Sequence, residues 1–111
     1  MNVVSLTELA QEQLAKAADA SNGRSAVTIY GGHEHHLRQT LIAIRAGEKL
    51  ADHANPGEAT LQVLVGQVTV RSGSNETVLQ MGEYLVIPDA VHSVHAEEDS
   101  AVLLSVSVRR R

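Results

Sequence analysis

Two histidines, an asparagine and an arginine are the residues of this 111-residue chain whose type and spacing bear most directly on chemistry. His53 and Asn55 are two apart, so on a regular strand they share one face, which Ala59, Leu61 and Val63 continue. His92 stands in a second strand-like run further on. Neutral imidazoles bind divalent transition metals or exchange protons near neutral pH, whereas an amide oxygen is a weak ligand. Glu58 is one residue out of phase with this face and points away from it, unless Pro56 and Gly57 introduce a bulge that turns it inward.

Other polar residues need a bland reading beside a functional one. The run Gly31-Gly32-His33-Glu34-His35-His36 holds three imidazoles and a carboxylate. It is read first as a solvated turn, then as a loop that helps shape a pocket, and last as a direct metal ligand. Alternation sends one of Arg38 and Gln39 to the core side of its strand. An inward Arg38 calls for an anionic ligand because a buried unpaired guanidinium is costly, whereas an outward one is a surface or subunit-contact charge; the outward placement is expected. Tyr84 offers a hydroxyl to a ligand, although a large side chain at a strand start more often packs in the core. His95 is an odd number of residues from His92 and is expected on the opposite face. Glu97, Glu98 and Asp99 read as a solvated acidic turn.

These residues must be positioned by one helix and many short strands. Residues 5–20 are rich in Ala, Leu, Glu and Gln, and Ser5 with Glu8 has the spacing of a capping box. Leu6, Leu9, Ala10, Leu14, Ala17 and Ala18 form an apolar stripe that must lie on something. Ser21-Asn22-Gly23 stops the helix. Beyond it, Val, Ile and Thr recur in runs broken by Gly, Pro, Asn or Asp, predicting strands at 26–30, 37–45, 49–53, 60–65, 67–71, 76–80, 84–87, 92–96 and 101–108. The last alternates cleanly, with Val102, Leu104, Val106 and Val108 on one face and Ser105, Ser107 and Arg109 on the other. Leu41 to Ile44 and Leu61 to Val65 are apolar at both parities, so they are expected to be covered on both faces, the second cover being another subunit. Such a set of short antiparallel strands makes a sandwich, a jelly roll or a closed barrel.

Composition limits the function. Thirty residues are Val, Leu or Ile, enough to drive collapse of one domain, with 1–23 as helix and linker and 24–111 as the β body. Nine cations against thirteen acids give a net charge of −4; without Arg109, Arg110 and Arg111, six cations face thirteen acids, a net −7. With only Tyr30 and Tyr84 as aromatics, the chain lacks both the basic surface and the stacking platform of a nucleic-acid binder. There is no cysteine for a disulfide, thiolate nucleophile or zinc-thiolate site. No apolar run reaches membrane-spanning length, and the chain is expected to be soluble and cytoplasmic, with no membrane partner. No serine nucleophile elbow, phosphate-binding glycine loop or zinc-protease helix is present.

From Gly47 to Gly66 the chain reads GEKLADHANPGEATLQVLVG, which resembles the first cupin motif: a glycine, five residues, His-x-His, three or four residues, a glutamate, six residues and a glycine. Gly47, His53 and Gly66 are in register. Gly82 to His92, GEYLVIPDAVH, is similar to the second motif, with Gly82 and Pro88 correctly spaced, His92 one residue early and Ala90 at a usual glycine. The resemblance implies an all-β cupin double-stranded β-helix, a jelly-roll barrel of the RmlC-like type with one N-terminal α-helix, commonly a homodimer. It also implies one divalent metal, Fe, Mn, Ni or Zn, held at the barrel mouth by His53, Asn55, Ala59 and His92. Only His53 and His92 keep their ligand type, so a vacant site is the expected state, with His53, His92 and Asn55 as what is left of it. The implied function is small-molecule binding in a pocket formed by His53, Asn55, His92, Tyr84 and Arg38, with catalysis unassigned. The alternatives are a metal-dependent dioxygenase, isomerase or decarboxylase using the reduced histidine set, and a structural or sensing role without metal.

Overall fold

Ser5 opens the helix as its spacing predicts: its hydroxyl accepts from Glu8 N–H at 3.2 Å and α1 (Leu6–Asp19) follows. The computed structural model describes residues 1–54 and 57–108, with His53 described by its backbone alone. Nine strands follow among the described residues, one at each expected run: β1 (Arg24–Tyr30), β2 (Leu37–Ile44), β3 (Lys49–His53), β4 (Gly57–Val65), β5 (Gln67–Ser72), β6 (Asn75–Gln80), β7 (Tyr84–Val86), β8 (His92–Ala96) and β9 (Ser100–Val108). They pair antiparallel in two sheets, β1-β2-β9-β4-β7 and β3-β8-β5-β6. No helix among the described residues is long and apolar enough to cross a membrane.

The two sheets face each other over an aliphatic core, and the register arranges that core in levels. Ile42, Val102 and Val63 are cross-strand neighbours; Thr40, Leu104, Leu61 and Leu85 form the next level; Arg38, Val106 and Ala59 form the third. The facing sheet supplies Val68, Val70, Leu79, Val94 and Ala96. Val102, Leu104 and Val106 of β9 all pack inward, as the alternation of that strand requires.

The strands that are apolar on both faces have a cover from within the chain, not the second subunit expected from their pattern. Helix α1 lays Ala10, Leu6, Leu9 and Leu14 on the outer face of the five-stranded sheet, against Leu41, Ala101, Val27 and Ile29. A bulge between Val63 and Val65 adds one residue to β4, and both Leu64 and Val65 pack on this helix side. Within the stripe, Ala18 is exposed and Gln13 is buried in its place, where its side-chain carbonyl accepts from Ser25 Oγ. Arg45, just past β2, donates to the carbonyls of Ala18 and Ala20 at 3.1 and 3.2 Å, tying down the carbonyl end of the helix. The acidic turn is more than solvated: Asp99 accepts from Ala46 N–H at 2.8 Å and Glu97 from Thr69 Oγ1 at 2.9 Å.

Gly66 turns β4 into β5 with φ +86°, and an added Cβ would press on the Ser100 hydroxyl and lie 2.5 Å from the Asp99 carbonyl oxygen. Ser100 is fully buried, accepts from Gln67 N–H at 3.1 Å and donates to the Glu98 carbonyl at 2.8 Å, so it cannot yield. Gly73 also has positive φ but faces open space. Gly73→Ala is therefore expected to cost about 1–2 kcal/mol for the left-handed backbone alone. Gly66→Ala adds overpacking against backbone, for a total of about 3 kcal/mol or more. The drop in urea midpoint at constant m-value measures both.

Candidate functional site at the barrel mouth

Strand β8 carries the best-defined polar group of the interior. His92, Val94 and Ala96 face the core while Ser93 and His95 face outward, and His92 is 1% exposed. The Pro88–Ala90 turn, closed by Ala90 N–H to the Pro88 carbonyl at 2.8 Å, brings the Ala90 carbonyl to 3.2 Å from His92 Nδ1. A carbonyl only accepts, so Nδ1–H donates, and whenever the ring is neutral its lone pair lies at Nε2. This is how protein backbones fix the tautomer of a histidine whose second nitrogen binds a ligand.

Across the ladder, Lys49 pairs with His95 and Leu50 with Val94, so regular pairing would set Asp52 opposite His92. One extra residue between Leu50 and His53 makes His53 the partner instead. The backbone thus sets the two histidine positions of the sequence motif directly opposite each other, while Asp52 is exposed. Asn55, the third candidate, lies outside the described residues, as does Arg109.

The position that the resemblance assigns to a carboxylate is Ala59, buried on the inner face of β4 at the level of Val106 and Arg38. Glu58 is exposed on the other face, opposite Ser107, so the residues after Pro56 do not turn it inward. Among the described residues no three His, Asp or Glu side chains are grouped so as to hold a metal ion.

Two candidates stand where the sequence did not put them. Arg38 is inward, not outward: it shares the face of Thr40, Ile42 and Ile44, two strands from Ala59, about 10 Å by strand spacing. Tyr84 is not in the core; it is 61% exposed, opposite Gln62, because the inward place on β7 belongs to Leu85, opposite Leu61. Thr28 and Thr40, opposite each other on β1 and β2, share the sheet face of Ile42, which the sequence reading missed. The even spacing of Thr40 from Ile42 was the available signal.

The histidine-rich loop splits in two. His35 stacks on Tyr30 with ring centroids 4.6 Å apart, its Nδ1 3.1 Å from the Tyr30 hydroxyl and its Nε2 3.3 Å from the Glu34 carboxylate. Together with His36, this group borders Leu37 and Gln39 on the outer side. His33 instead faces Arg38, Thr28 and Thr40.

His95, on the outer face of β8, has its pKa lowered from 6.5 by partial burial, then by the Arg71 and Lys49 cations, with Glu97 and Asp52 opposing. The folded state therefore prefers the neutral ring. Its contribution to stability is present above the unfolded pKa of 6.5 and is lost as pH falls through the lower folded value. An NMR titration is expected to place the His95 midpoint below 6.5, and Arg71→Gln is expected to move it up.

No family model matches the chain, and no curated protein matches it either. Solved structures do. A cupin superfamily protein from Desulfitobacterium hafniense superposes with a TM-score of 0.74 at 13% identity, over 84% of this chain and 87% of that one. An RmlC-like cupin from Shewanella frigidimarina gives 0.69 at 21% identity, over 84% and 83%. A variant of salicylate 1,2-dioxygenase from Pseudoaminobacter salicylatoxidans, in complex with gentisate, gives 0.75 at 22% identity, over 90% of this chain but 32% of that one. With two antiparallel sheets enclosing the core and glycines 47, 66 and 82 all at positive φ where the sequence motifs placed them, the chain has the fold of the small RmlC-like cupins.

Proposed function

We propose that this protein binds a small molecule at the mouth of the barrel, beside His92, the facing His53 position and Arg38. The observation that carries this reading is the distribution of polarity along the inner face. Among the described residues, the levels around Ile42, Val63, Val68 and Val102 are aliphatic and buried. Among the described residues, apart from Ser100 at the far turn, whose hydroxyl is bonded to Gln67 and Glu98, polar side chains of the inner face stand toward the end marked by Thr40, Arg38 and His92. A ligand held there has an apolar floor and a few directed polar groups, the usual composition of a small-molecule site.

The donor set does not fit a tightly held divalent ion. Ala59 offers a methyl group where a carboxylate would offset the ion's charge, and Glu58 faces solvent. No reaction step is therefore assigned to a metal. A second reading, a metal-dependent dioxygenase, isomerase or decarboxylase, is favoured by the backbone pairing of His53 with His92. The dioxygenase neighbour is consistent with it at the level of fold.

Metal content separates the two. After purification without an affinity tag, incubation with Fe, Mn or Zn and dialysis, the parent is expected to retain well below one equivalent. The double variant Asn55→His with Ala59→Glu is expected to retain about one, since it restores the four ligands that close such sites. A parent that holds one equivalent as firmly as the double variant would establish the metal-dependent reading instead.

A further inference from the structure

The pairing of β1 with β2 slips between Thr28 and Tyr30, giving β1 an extra residue where the strand ends. Beyond this irregularity, Gly31, Gly32 and His33 border an open pocket of about 230 Å³ together with Thr28, Thr40 and Arg38. At roughly 30 Å³ per water, that is room for about seven waters, or for an acid group with a few carbons.

The polar groups of this pocket point to one charge. Arg38 Nε is buried and has no hydrogen-bond partner among the described residues. No ion pair joins Arg38 to a carboxylate among them, and its cross-strand neighbour is Val106. The guanidinium stays charged at any physiological pH, so its buried donor needs an acceptor from elsewhere. Among the described residues the pocket is lined by Thr28, Thr40 and His33 beside Arg38 and by no Asp or Glu, the Glu34 carboxylate lying against Gly32 at its border. Gly31 keeps the approach open, since a Cβ there would sit 3.4 Å from Thr28 Cγ2 and 3.8 Å from Arg38 Cγ. A planar guanidinium edge beside hydroxyl donors matches an oxyanion, which accepts several hydrogen bonds at once.

We propose that the Arg38–Thr28–Thr40 pocket beside the Gly31–His33 loop binds the oxyanion end of a small acidic molecule. This rests on the reading that the barrel mouth binds a small molecule, and it names the class of that molecule. Carboxylate and phosphate share the required chemistry, and the test tells them apart.

The test follows the Arg38 Nε–H resonance of ¹⁵N-labelled full-length protein, identified by its loss in Arg38→Met, during titration with benzoate, succinate, inorganic phosphate or chloride. At least one oxyanion is expected to shift it saturably, while chloride at equal ionic strength does not; the responding probe identifies the acid group. Arg38→Met is expected to weaken that binding at least tenfold, read from backbone amide shifts around Gly31. Thr40→Val, which keeps the strand residue's shape, is expected to weaken it severalfold. No saturable response to any oxyanion at 100 mM, or undiminished binding by Arg38→Met, would overturn the proposal. The His92 ring signals read the mouth in the same samples. A response at His92 without one at Arg38 overturns the oxyanion pocket and leaves the mouth reading intact. A response at Arg38 without one at His92 supports the pocket and counts against the mouth. Silence at both overturns both.

Discussion

Every placement in this molecule follows from the two-residue period of the β-strand. A side chain faces the space between the sheets or the outside according to its parity, and parity changes only where the chain gains a residue against its partner. Along β2 the rule runs unbroken from Arg38 to Ile44, so a cation and two isoleucines share a face. Along β3 it breaks once, and that break decides which residue stands opposite His92. The polar character of the mouth thus comes from strand register, with little help from long loops.

The strands were legible because β-branched runs and glycine or proline turns alternate cleanly. Their glycines were legible for a physical reason: the positive φ at Gly66, with Ser100 and Asp99 packed against it, admits no side chain. The cover on the outer sheet face was not legible. Apolar residues at both parities, as at Leu41 to Ile44, say that a second surface exists and not whether a helix of the same chain or another molecule supplies it. The apolar stripe on α1 held the answer, since its own need for a partner equalled the need of the sheet.

The site was legible in part. His92 falls on the inner face because nothing interrupts β8 between it and Val94. Arg38 was expected outside because burial of a lone guanidinium is costly, and the cost argument was stronger than the parity argument that Ile42 and Ile44 already offered. Tyr84 was assigned by size, yet Leu85 holds the inward position opposite Leu61. In both cases register outranked residue type. The charge balance of the mouth follows: the acid expected on β4 is an alanine, Glu58 is turned to solvent, and a cation stands two strands away. The interior thus holds a positive side chain and no acid among its described neighbours.

The extra residue in β3 also bears on how such a mouth evolves. Loss of a single codon between Leu50 and His53 would straighten the ladder, set the one remaining residue opposite Ser93 and leave His53 opposite His92. The facing of the two histidine positions is thus indifferent to this in-frame deletion, and an imidazole–carboxylate pair there requires a changed side chain rather than a shorter strand. Point substitutions at His53 or at the buried alanine of β4, more than deletions between Leu50 and His53, are the step by which chains of this shape can exchange one set of donor atoms for another.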